Sequence, residues 1–435
     1  MKHKFTLTSY RLFLAMSVVG VFAETMDFTI AVIYRVQVAH LNALQLVLVG
    51  TTLECSIFAF QLPTGVIADV FNRRSAIIIG ILISGAAFIV EGFFPLFPVI
   101  LLAQALWGLG YTFTSGAVEA WIAGEVGEER IGATFLRGEQ VGLFGALGGT
   151  ALGVVLASIR LNVPLVTAGA LTMALGVALF FLMHERTDLR APKSERTTWQ
   201  QMGDTLKSGV RLIRLRPVLL TILGVGLFLG LYSEGYDRLW AAHFLKDLLV
   251  PPFGGFSYVT WFGIMNVSAI LLSLGAVELT IRRIDMRSHL TVARMLFVMI
   301  ALLTLSLIGF GIAGSFAIAL LLFVLIAVLR KVIEPLYTSW LAQHADPKIR
   351  ATVISFSGQL DAFGQIIGGP PLGALGIARG IRVALVVSGA LLTPALALLA
   401  RTLRPRPGEP EREPEVDGDL VASESMDALA VLPAE

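Results

Sequence analysis

The sequence predicts an all-α membrane protein that crosses the bilayer many times. Hydrophobic residue types make up 56% of the 435 residues and charged types only 15%, whereas soluble domains carry about 45–50% and about 25%. The mean hydropathy of +0.79 agrees with this. Apolar runs of roughly 20 residues, the length that crosses a bilayer as a helix, recur along nearly the whole chain. Together these observations exclude a soluble, disordered, collagen-like or coiled-coil protein.

Twelve apolar runs, separated by charge, proline or glycine, predict twelve transmembrane helices. The longest polar break falls after the sixth run. We therefore predict two pseudo-symmetric six-helix bundles, at residues 1–183 and 217–402, joined by a cytoplasmic linker at residues 184–216. An amphipathic helix on the membrane and an ordinary linker helix both fit the linker pattern. The predicted spans are 12–34, 43–67, 76–96, 98–122, 140–159, 163–183, 217–243, 257–281, 290–312, 315–342, 352–376 and 381–400.

The distribution of basic residues predicts the orientation. Most of the 33 lysine and arginine residues lie on the side that carries the N-terminus, the linker and the C-terminus, and such residues favour the cytoplasmic side. We predict a multi-pass protein of the cell membrane with both termini in the cytoplasm. Residues 403–435, rich in proline, glutamate and arginine, are predicted to form a disordered acidic tail. The loops on the side opposite to the predicted cytoplasmic side hold only a few basic residues, namely Arg35, Arg160, Lys246, Arg379 and Arg382.

The two halves of the chain share an internal repeat. Residues 20–27, GVFAETMD, match residues 230–237, GLYSEGYD, at an offset of 210. Further along, residues 140–149 match residues 359–368 at an offset of 219, through a glutamine and two glycines. Paired bundles of this kind bind a substrate between the halves, near the bilayer midplane, and move it by rocking around it.

A charged motif lies between the second and third spans. Residues 65–74 read GVIADVFNRR and resemble the signature loop of the major facilitator superfamily, G-x-x-x-D-R-x-G-R-[RK], although positions 70 and 72 depart from it. Gly65 is expected to let two helices approach closely, and Asp69 to meet a helix N-terminus or an arginine. Arg73 and Arg74 are expected to anchor the inner face. The resemblance covers about residues 8–402 and implies that this motif gates a transporter.

Two further segments indicate which members of the superfamily the sequence resembles most. Residues 63–69 and 115–121 are similar to drug-efflux members of the superfamily, which are drug:proton antiporters. Many proton antiporters of the family carry an arginine in span 4, four residues before a G-x-G. In this sequence Gln104 occupies that position, before Gly108 and Gly110. The usual proton-transfer group of the family is therefore replaced by an amide.

Ionisable side chains inside the predicted spans are functional candidates, because each costs about a few kcal/mol to place in the bilayer core. Glu234 and Arg238 are spaced i,i+4 and can neutralise each other for membrane insertion, and Arg330 and Glu334 have the same spacing. Glu91 is predicted to lie near the outer surface. The candidates for proton coupling or substrate binding are Glu24, Asp27, Glu54, Glu234, Asp237, Arg238, Arg330, Glu334 and Asp361.

Glu24 and Asp27 are the first candidates for proton coupling. Glu24 lies at the centre of span 1, and Asp27 follows one turn outward on the same face. Charging both of two such close carboxylates is costly in a low dielectric. One of them is therefore expected to hold a proton, which suits a proton carrier. A structural salt bridge to the other half is the alternative.

Four aromatic side chains lie near the level of these charges and are predicted to line a cavity for flat or amphipathic ligands. Packing inside the protein and contact with lipid are the alternatives for each. These residues are Trp107, Tyr111, Tyr236 and Trp240.

The sequence therefore predicts a secondary active transporter and not an enzyme. The six histidines are scattered, and the sequence shows no catalytic or metal-binding motif. We expect no metal, cofactor or nucleic acid as a partner. We expect a monomer in the lipid bilayer that exports small amphipathic compounds, cations among them, by alternating access and proton antiport. Proton-coupled uptake or facilitated transport of a metabolite is the alternative, and an intramembrane enzyme is the alternative of another class.

Overall fold

The computed structural model describes residues 7–70, 72–184, 217–248, 257–284, 288–345 and 350–403, and every regular element in these ranges is helical. The predicted linker after residue 184 and the predicted tail after residue 403 lie outside the described residues. The helices are α1 (Leu7–Gln37), α2 (Ala43–Val70), α3 (Arg73–Phe93), α4 (Phe97–Thr114), α5 (Ala117–Val126), α6 (Glu128–Ala157), α7 (Val163–Leu182), α8 (Pro217–Ala242), α9 (Tyr258–Arg283), α10 (His289–Ile312), α11 (Phe316–His344), α12 (Arg350–Arg379), α13 (Ile381–Ala390) and α14 (Thr393–Thr402). A π-helical turn, His243–Asp247, continues α8.

The predicted all-α polytopic architecture is confirmed. Within the described ranges, 11 helical segments are long and apolar enough to cross a membrane, and they coincide with eleven of the predicted spans. The remaining span, predicted at 352–376, is occupied by the 30-residue α12. At about 1.5 Å per residue this helix is also long enough to cross the bilayer. It is less apolar than the others because it carries Gln359, Asp361 and Gln365.

Four spans differ from the prediction in detail, and one of them is span 5, which begins as α6 at Glu128, twelve residues before its predicted start. Span 4 consists of α4 and α5, which join at Gly116 with a φ of 78°, a conformation that glycine adopts without steric cost. Span 12 consists of α13 and α14, and Pro394 lies in the first turn of α14. Helix α1 continues to Gln37, so Arg35, predicted in a loop, lies inside the helix and is buried.

The internal repeat appears as the same helix contact in both halves. Gly145 and Gly149 of α6 lie directly against the main chain of α1. In the C-terminal half, Gly364 and Gly368 of α12 lie in the same way against the main chain of α8. Small residues let membrane helices approach until their backbones touch, which maximises van der Waals packing where lipid provides no hydrophobic driving force.

Replacing Gly368 by valine should destabilise the protein, because the added side chain would overlap the main chain of Leu231. Overpacking of this kind costs about 1–3 kcal/mol or more, so thermal unfolding in detergent should begin at a clearly lower temperature. Gly358→Val on the same helix is the matched control, because open space surrounds that glycine. Equal melting temperatures for the two variants would contradict the packing argument.

The two halves touch most closely at one face of the bundle. We call the face at which α1 begins and α14 ends the terminal face, and the face that carries the α1–α2 loop (38–42) the opposite face. Near the opposite face, Gly373 and Gly376 of α12 lie against the first turns of α2. The ammonium of Lys246 also donates a hydrogen bond to the main-chain oxygen of Leu41, at 3.3 Å. The two halves are therefore closed against each other at the opposite face.

Candidate functional site

A cavity of about 410 Å³, here called the central cavity, lies between the two halves. Its walls come from α2 and α4 on one side and from α12 on the other. The two sides also touch directly, because the Gln359 Nε2 donates a hydrogen bond to Gln61 Oε1 at 2.6 Å. The central cavity therefore lies where a substrate would contact both halves at once. Among its lining residues are Glu54, Gln61, Trp107, Tyr111, Gly358 and Asp361.

A larger cavity of about 1070 Å³ adjoins the central cavity, and both share Gly358 and Asp361. Its walls come from α8, α9, α11 and α12, with a contribution from α6. Its lining includes Glu278, Leu341 and Ile354, which lie close to the terminal-face ends of their helices. The bundle is thus hollow from its centre towards the terminal face and closed at the opposite face.

Glu54 and Asp361 are the two carboxylates that line the central cavity. Asp361 accepts a hydrogen bond from Gln365, with 2.8 Å between Oδ2 and Nε2. Among the described residues, neither carboxylate has a lysine or arginine within ion-pair distance. The charge of Asp361 acts on Glu54 across the interface between the halves, as do the charges of the neighbouring Glu234 and Arg238. They form a pair of negative groups that face a ligand-sized space, and within the described ranges neither is bound to a lysine or arginine.

Glu234 and Arg238 form the i,i+4 ion pair that their spacing suggests, with 3.0 Å between Arg238 Nε and Glu234 Oε1. The pair lies at the interface between the halves, because it packs against Gly50 of α2 at a distance that leaves no room for a Cβ. Glu234 is fully buried. Glu54 follows Gly50 by one turn on the same face of α2. The ion pair is therefore a direct neighbour of the central cavity.

Arg330 pairs differently from the sequence prediction. Its guanidinium binds both carboxylate oxygens of Asp237, with 2.8 Å between Nη2 and Oδ2, and so connects α8 to α11. It also lies over the rings of Tyr232 and Tyr236, at 5.9 and 5.7 Å from their centroids. Glu334, the predicted partner, pairs instead with Lys331 at 3.3 Å, and both of those side chains are exposed. A bidentate interhelical pair has better geometry than the i,i+4 alternative.

Glu24 and Asp27 do not line either cavity. Asp27 is buried, and its Oδ1 has no hydrogen-bond partner among the described residues. Glu24 is exposed, although it lies near the middle of α1. The charges of Glu91, Arg35 and Glu24 all act on Asp27. The structure thus separates the predicted coupling residues of span 1 from the carboxylates of the central cavity.

A buried polar network next to Asp27 was not predicted from the sequence. Glu91, expected near the outer surface, is 1% exposed. Arg35 Nε and Nη2 donate to its two carboxylate oxygens, at 2.6 and 3.0 Å. Gln104 Nε2 donates to Oε2 of the same carboxylate at 2.8 Å. Gln104 is the residue in the sequence that could have indicated this network. It occupies the position at which many family members carry arginine, and a buried amide needs a hydrogen-bond partner.

The signature motif is held by main-chain contacts. Arg73 Nη1 donates to the carbonyl of Ala120 at 3.1 Å, and Arg74 donates to the carbonyl of Phe180. The close helix approach expected at Gly65 is not found, because no atom lies within 4 Å of the place where its Cβ would be. The side chain of Asp69 lies outside the described residues.

The four aromatic candidates divide into two groups. Trp107 and Tyr111 line the central cavity, and Trp107 is held edge-on by Phe28 at 5.0 Å between ring centroids. Tyr236 is instead buried beneath Arg330, as described above. Trp240 packs in an aromatic cluster, for example against Phe323 at 4.7 Å between centroids. Two aromatic rings are therefore available at the central cavity.

The helical bundle and its polar cavity between two halves define a membrane transporter. The chain belongs to the Major Facilitator Superfamily, whose family model matches residues 12–300. The uncharacterized MFS-type transporter YxaM of Bacillus subtilis (strain 168) is 25% identical over 369 residues, which cover 80% of this chain and 85% of that protein. The protein is thus a multi-pass membrane transporter of the MFS class.

Solved structures share the fold at low sequence identity. A mutant of the nucleoside transporter NupG superposes with a TM-score of 0.76 at 13% identity, covering 91% of this chain and 100% of that one. A bacterial homologue of the human lysosomal transporter Spinster, inward-facing and unoccupied, gives 0.74 at 14% identity, covering 93% and 100%. A POT family transporter in complex with a thioalcohol-conjugated peptide gives 0.69 at 15% identity, covering 91% and 95%. At these identities the likeness concerns the fold alone.

Proposed function

We propose that the protein exports small amphipathic cations from the cytoplasm by alternating access, in exchange for protons. The observation that carries this proposal is the pair Glu54 and Asp361, which face the central cavity from opposite halves and form no ion pair among the described residues. A cation between the halves would contact both carboxylates at once. Its binding would therefore depend on the relative position of the halves, as alternating access requires.

The charge around the central cavity supports a cationic substrate. Four carboxylates and two guanidiniums lie at or next to it, and two of the carboxylates are neutralised by those guanidiniums. Two negative charges therefore remain for a substrate or for protons. An uncompensated charge is expensive in a low-dielectric site, so it favours a ligand of opposite charge. The groups counted are Glu54, Glu234, Asp237, Arg238, Arg330 and Asp361.

The size and the aromatic wall of the cavity support an amphipathic molecule. A volume of about 410 Å³ falls within the roughly 300–1,000 Å³ of small-molecule pockets. Trp107 and Tyr111 provide flat apolar surface beside the carboxylates, and aromatic rings attract cations through their faces. The resemblance of residues 63–69 and 115–121 to drug-efflux transporters points to the same class of substrate.

Displacement of the substrate by protons follows from the same carboxylates, and the buried Asp27 of α1 is proposed to carry the proton that couples transport to the gradient. A carboxylate that holds a proton no longer attracts a cation, so protons and cationic substrate compete for one site. Protons that bind to Glu54 and Asp361 from an acidic outer side would displace the substrate there. The proposal places the terminal face in the cytoplasm and the protein in the cell membrane.

Transport into proteoliposomes tests the proposal. With an acidic lumen and the terminal face outside, a panel of organic cations should accumulate in the lumen, and a protonophore should abolish this accumulation. Neutral compounds of the same shape should not accumulate. Cation accumulation that does not depend on the proton gradient would contradict antiport. A preference for the neutral compounds would contradict the charge argument.

Uptake of a polar metabolite is the second candidate, and the contact between Gln61 and Gln359 favours it. These two amides meet between the halves at 2.6 Å, and amides are suited to binding neutral hydroxylated or amide-bearing compounds. In the larger cavity, Tyr337 and Ser357 add a pair of hydroxyl groups at 2.8 Å from each other. The compound panel separates the two candidates, because this one predicts transport of neutral polar compounds.

A further inference from the structure

The π-helical turn His243–Asp247 at the end of α8 contains a histidine that the transport cycle proposed above does not use. His243 is fully buried. The wide turn closes with a hydrogen bond from the Leu248 amide to the His243 carbonyl at 3.1 Å. Single π-helical turns are rare and occur frequently at functional sites. The turn lies at the opposite face, where the two halves are closed against each other.

Both ring nitrogens of His243 face oxygen acceptors. Nε2 lies 3.1 Å from the main-chain oxygen of Phe310, and Nδ1 lies 2.8 Å from Oδ2 of Asp247. A carbonyl only accepts, so Nε2 carries a hydrogen. A neutral imidazole has only one N–H, so the second contact needs another proton. That proton makes either an imidazolium that donates to the carboxylate or a carboxylic acid that donates to Nδ1.

The same turn holds the halves together. Lys246 donates to the main-chain oxygen of Leu41 in the N-terminal half, at 3.3 Å. Arg382 of α13 donates to the main-chain oxygen of Asp247 at 3.2 Å. Among the described residues, these two cations are the other charged groups in contact with the turn, and the exposed His40 precedes Leu41 in the chain. From α10 the contacts are the carbonyl and the ring of Phe310.

We propose that His243 and Asp247 form a proton-binding site that holds the opposite face closed. With the proton present, both hydrogen bonds form and fix the turn in the shape from which Lys246 reaches Leu41. Without the proton, two acceptors face each other in a buried place and one hydrogen bond is lost. The turn then relaxes, and the bridge between the halves weakens. Acid therefore favours closure at this face, whatever the substrate.

Spin-label distances test the site without any substrate. In a Cys55→Ser background, labels at Val38 and Ile377, which are exposed and belong to different halves near the opposite face, report opening by pulsed electron paramagnetic resonance in lipid nanodiscs. Raising the pH from about 5 to about 9, a range in which histidines titrate, should shift the closed-to-open ratio towards open by about tenfold, as expected for one lost buried hydrogen bond.

Asp247→Asn is the decisive variant. The asparagine amide donates to the free Nδ1 of a neutral imidazole, so both hydrogen bonds form without the extra proton. This variant should remain closed across the whole pH range. His243→Leu should shift towards open at every pH, and His40→Asn should titrate like the unmodified protein.

A ratio that does not change with pH in the unmodified protein would overturn the proposal. A pH dependence that survives unchanged in Asp247→Asn, or that disappears in His40→Asn, would overturn it as well. These outcomes do not depend on cation export, because no substrate is present in the measurement.

Discussion

Glu54→Gln and Asp361→Asn should each weaken the binding of an organic cation by about tenfold or more. Each change keeps the shape of the side chain and removes one charge that acts in a low dielectric. Hydrogen bonds to charged groups contribute about 1.5–3 kcal/mol, and about 1.4 kcal/mol corresponds to tenfold in affinity. Fluorescence of Trp107, which lines the same cavity, or calorimetry on the purified protein measures the loss directly.

Glu334→Gln is the matched control, because its carboxylate is exposed and already paired with Lys331. It should bind the cation as the unmodified protein does. Acidification should weaken cation binding in the unmodified protein, since protons compete for Glu54 and Asp361, and this pH dependence should vanish in the double variant. Cation affinity that is unchanged in both single variants would exclude the two carboxylates as the substrate site.

The positions of the helices follow from the sequence because lipid requires long apolar runs. The polar breaks between those runs were therefore enough to place the spans. The divided spans were missed, since a single glycine such as Gly116 redirects a helix without changing the hydropathy of the segment. The repeat of residues 20–27 at residues 230–237 could also be recognised in the sequence, and the same glycine contacts recur in both halves of the structure.

The residues of the candidate site could be predicted from the sequence, but the ion pairs that they form could not. Intramembrane charges stand out because each is costly, so Glu54 and Asp361 could be named from the sequence. Whether a charge is free or neutralised depends on the neighbouring helix. Arg330 is four residues from Glu334, yet it binds Asp237 on α8 because that pairing is bidentate. Glu91 meets Arg35 because α1 and α3 both pack against α7, which brings the two side chains within hydrogen-bond distance.

Asp27→Asn should abolish accumulation driven by a proton gradient while leaving exchange of substrate across the membrane intact. Asp27 is buried and its Oδ1 has no hydrogen-bond partner among the described residues. The nearby Arg35 is occupied by both oxygens of Glu91. A buried carboxylate without a donor is stable only when it carries a proton. We therefore expect Asp27 to hold a proton in the conformation closed at the opposite face and to release it when its surroundings change.

The measurement compares two assays on the same proteoliposomes. Gradient-driven accumulation should be lost in Asp27→Asn, because asparagine carries no exchangeable acid proton. Exchange of labelled for unlabelled cation at equal pH should continue, because Glu54 and Asp361 are intact. Glu24 lies one turn away on the same helix and its charge acts on Asp27, so Glu24→Gln should slow accumulation as well. Full gradient-driven accumulation in the Glu24→Gln/Asp27→Asn double variant would exclude this pair. The coupling proton would then have to be carried by the carboxylates that bind the cation, and the double variant Glu54→Gln/Asp361→Asn would lose both assays together.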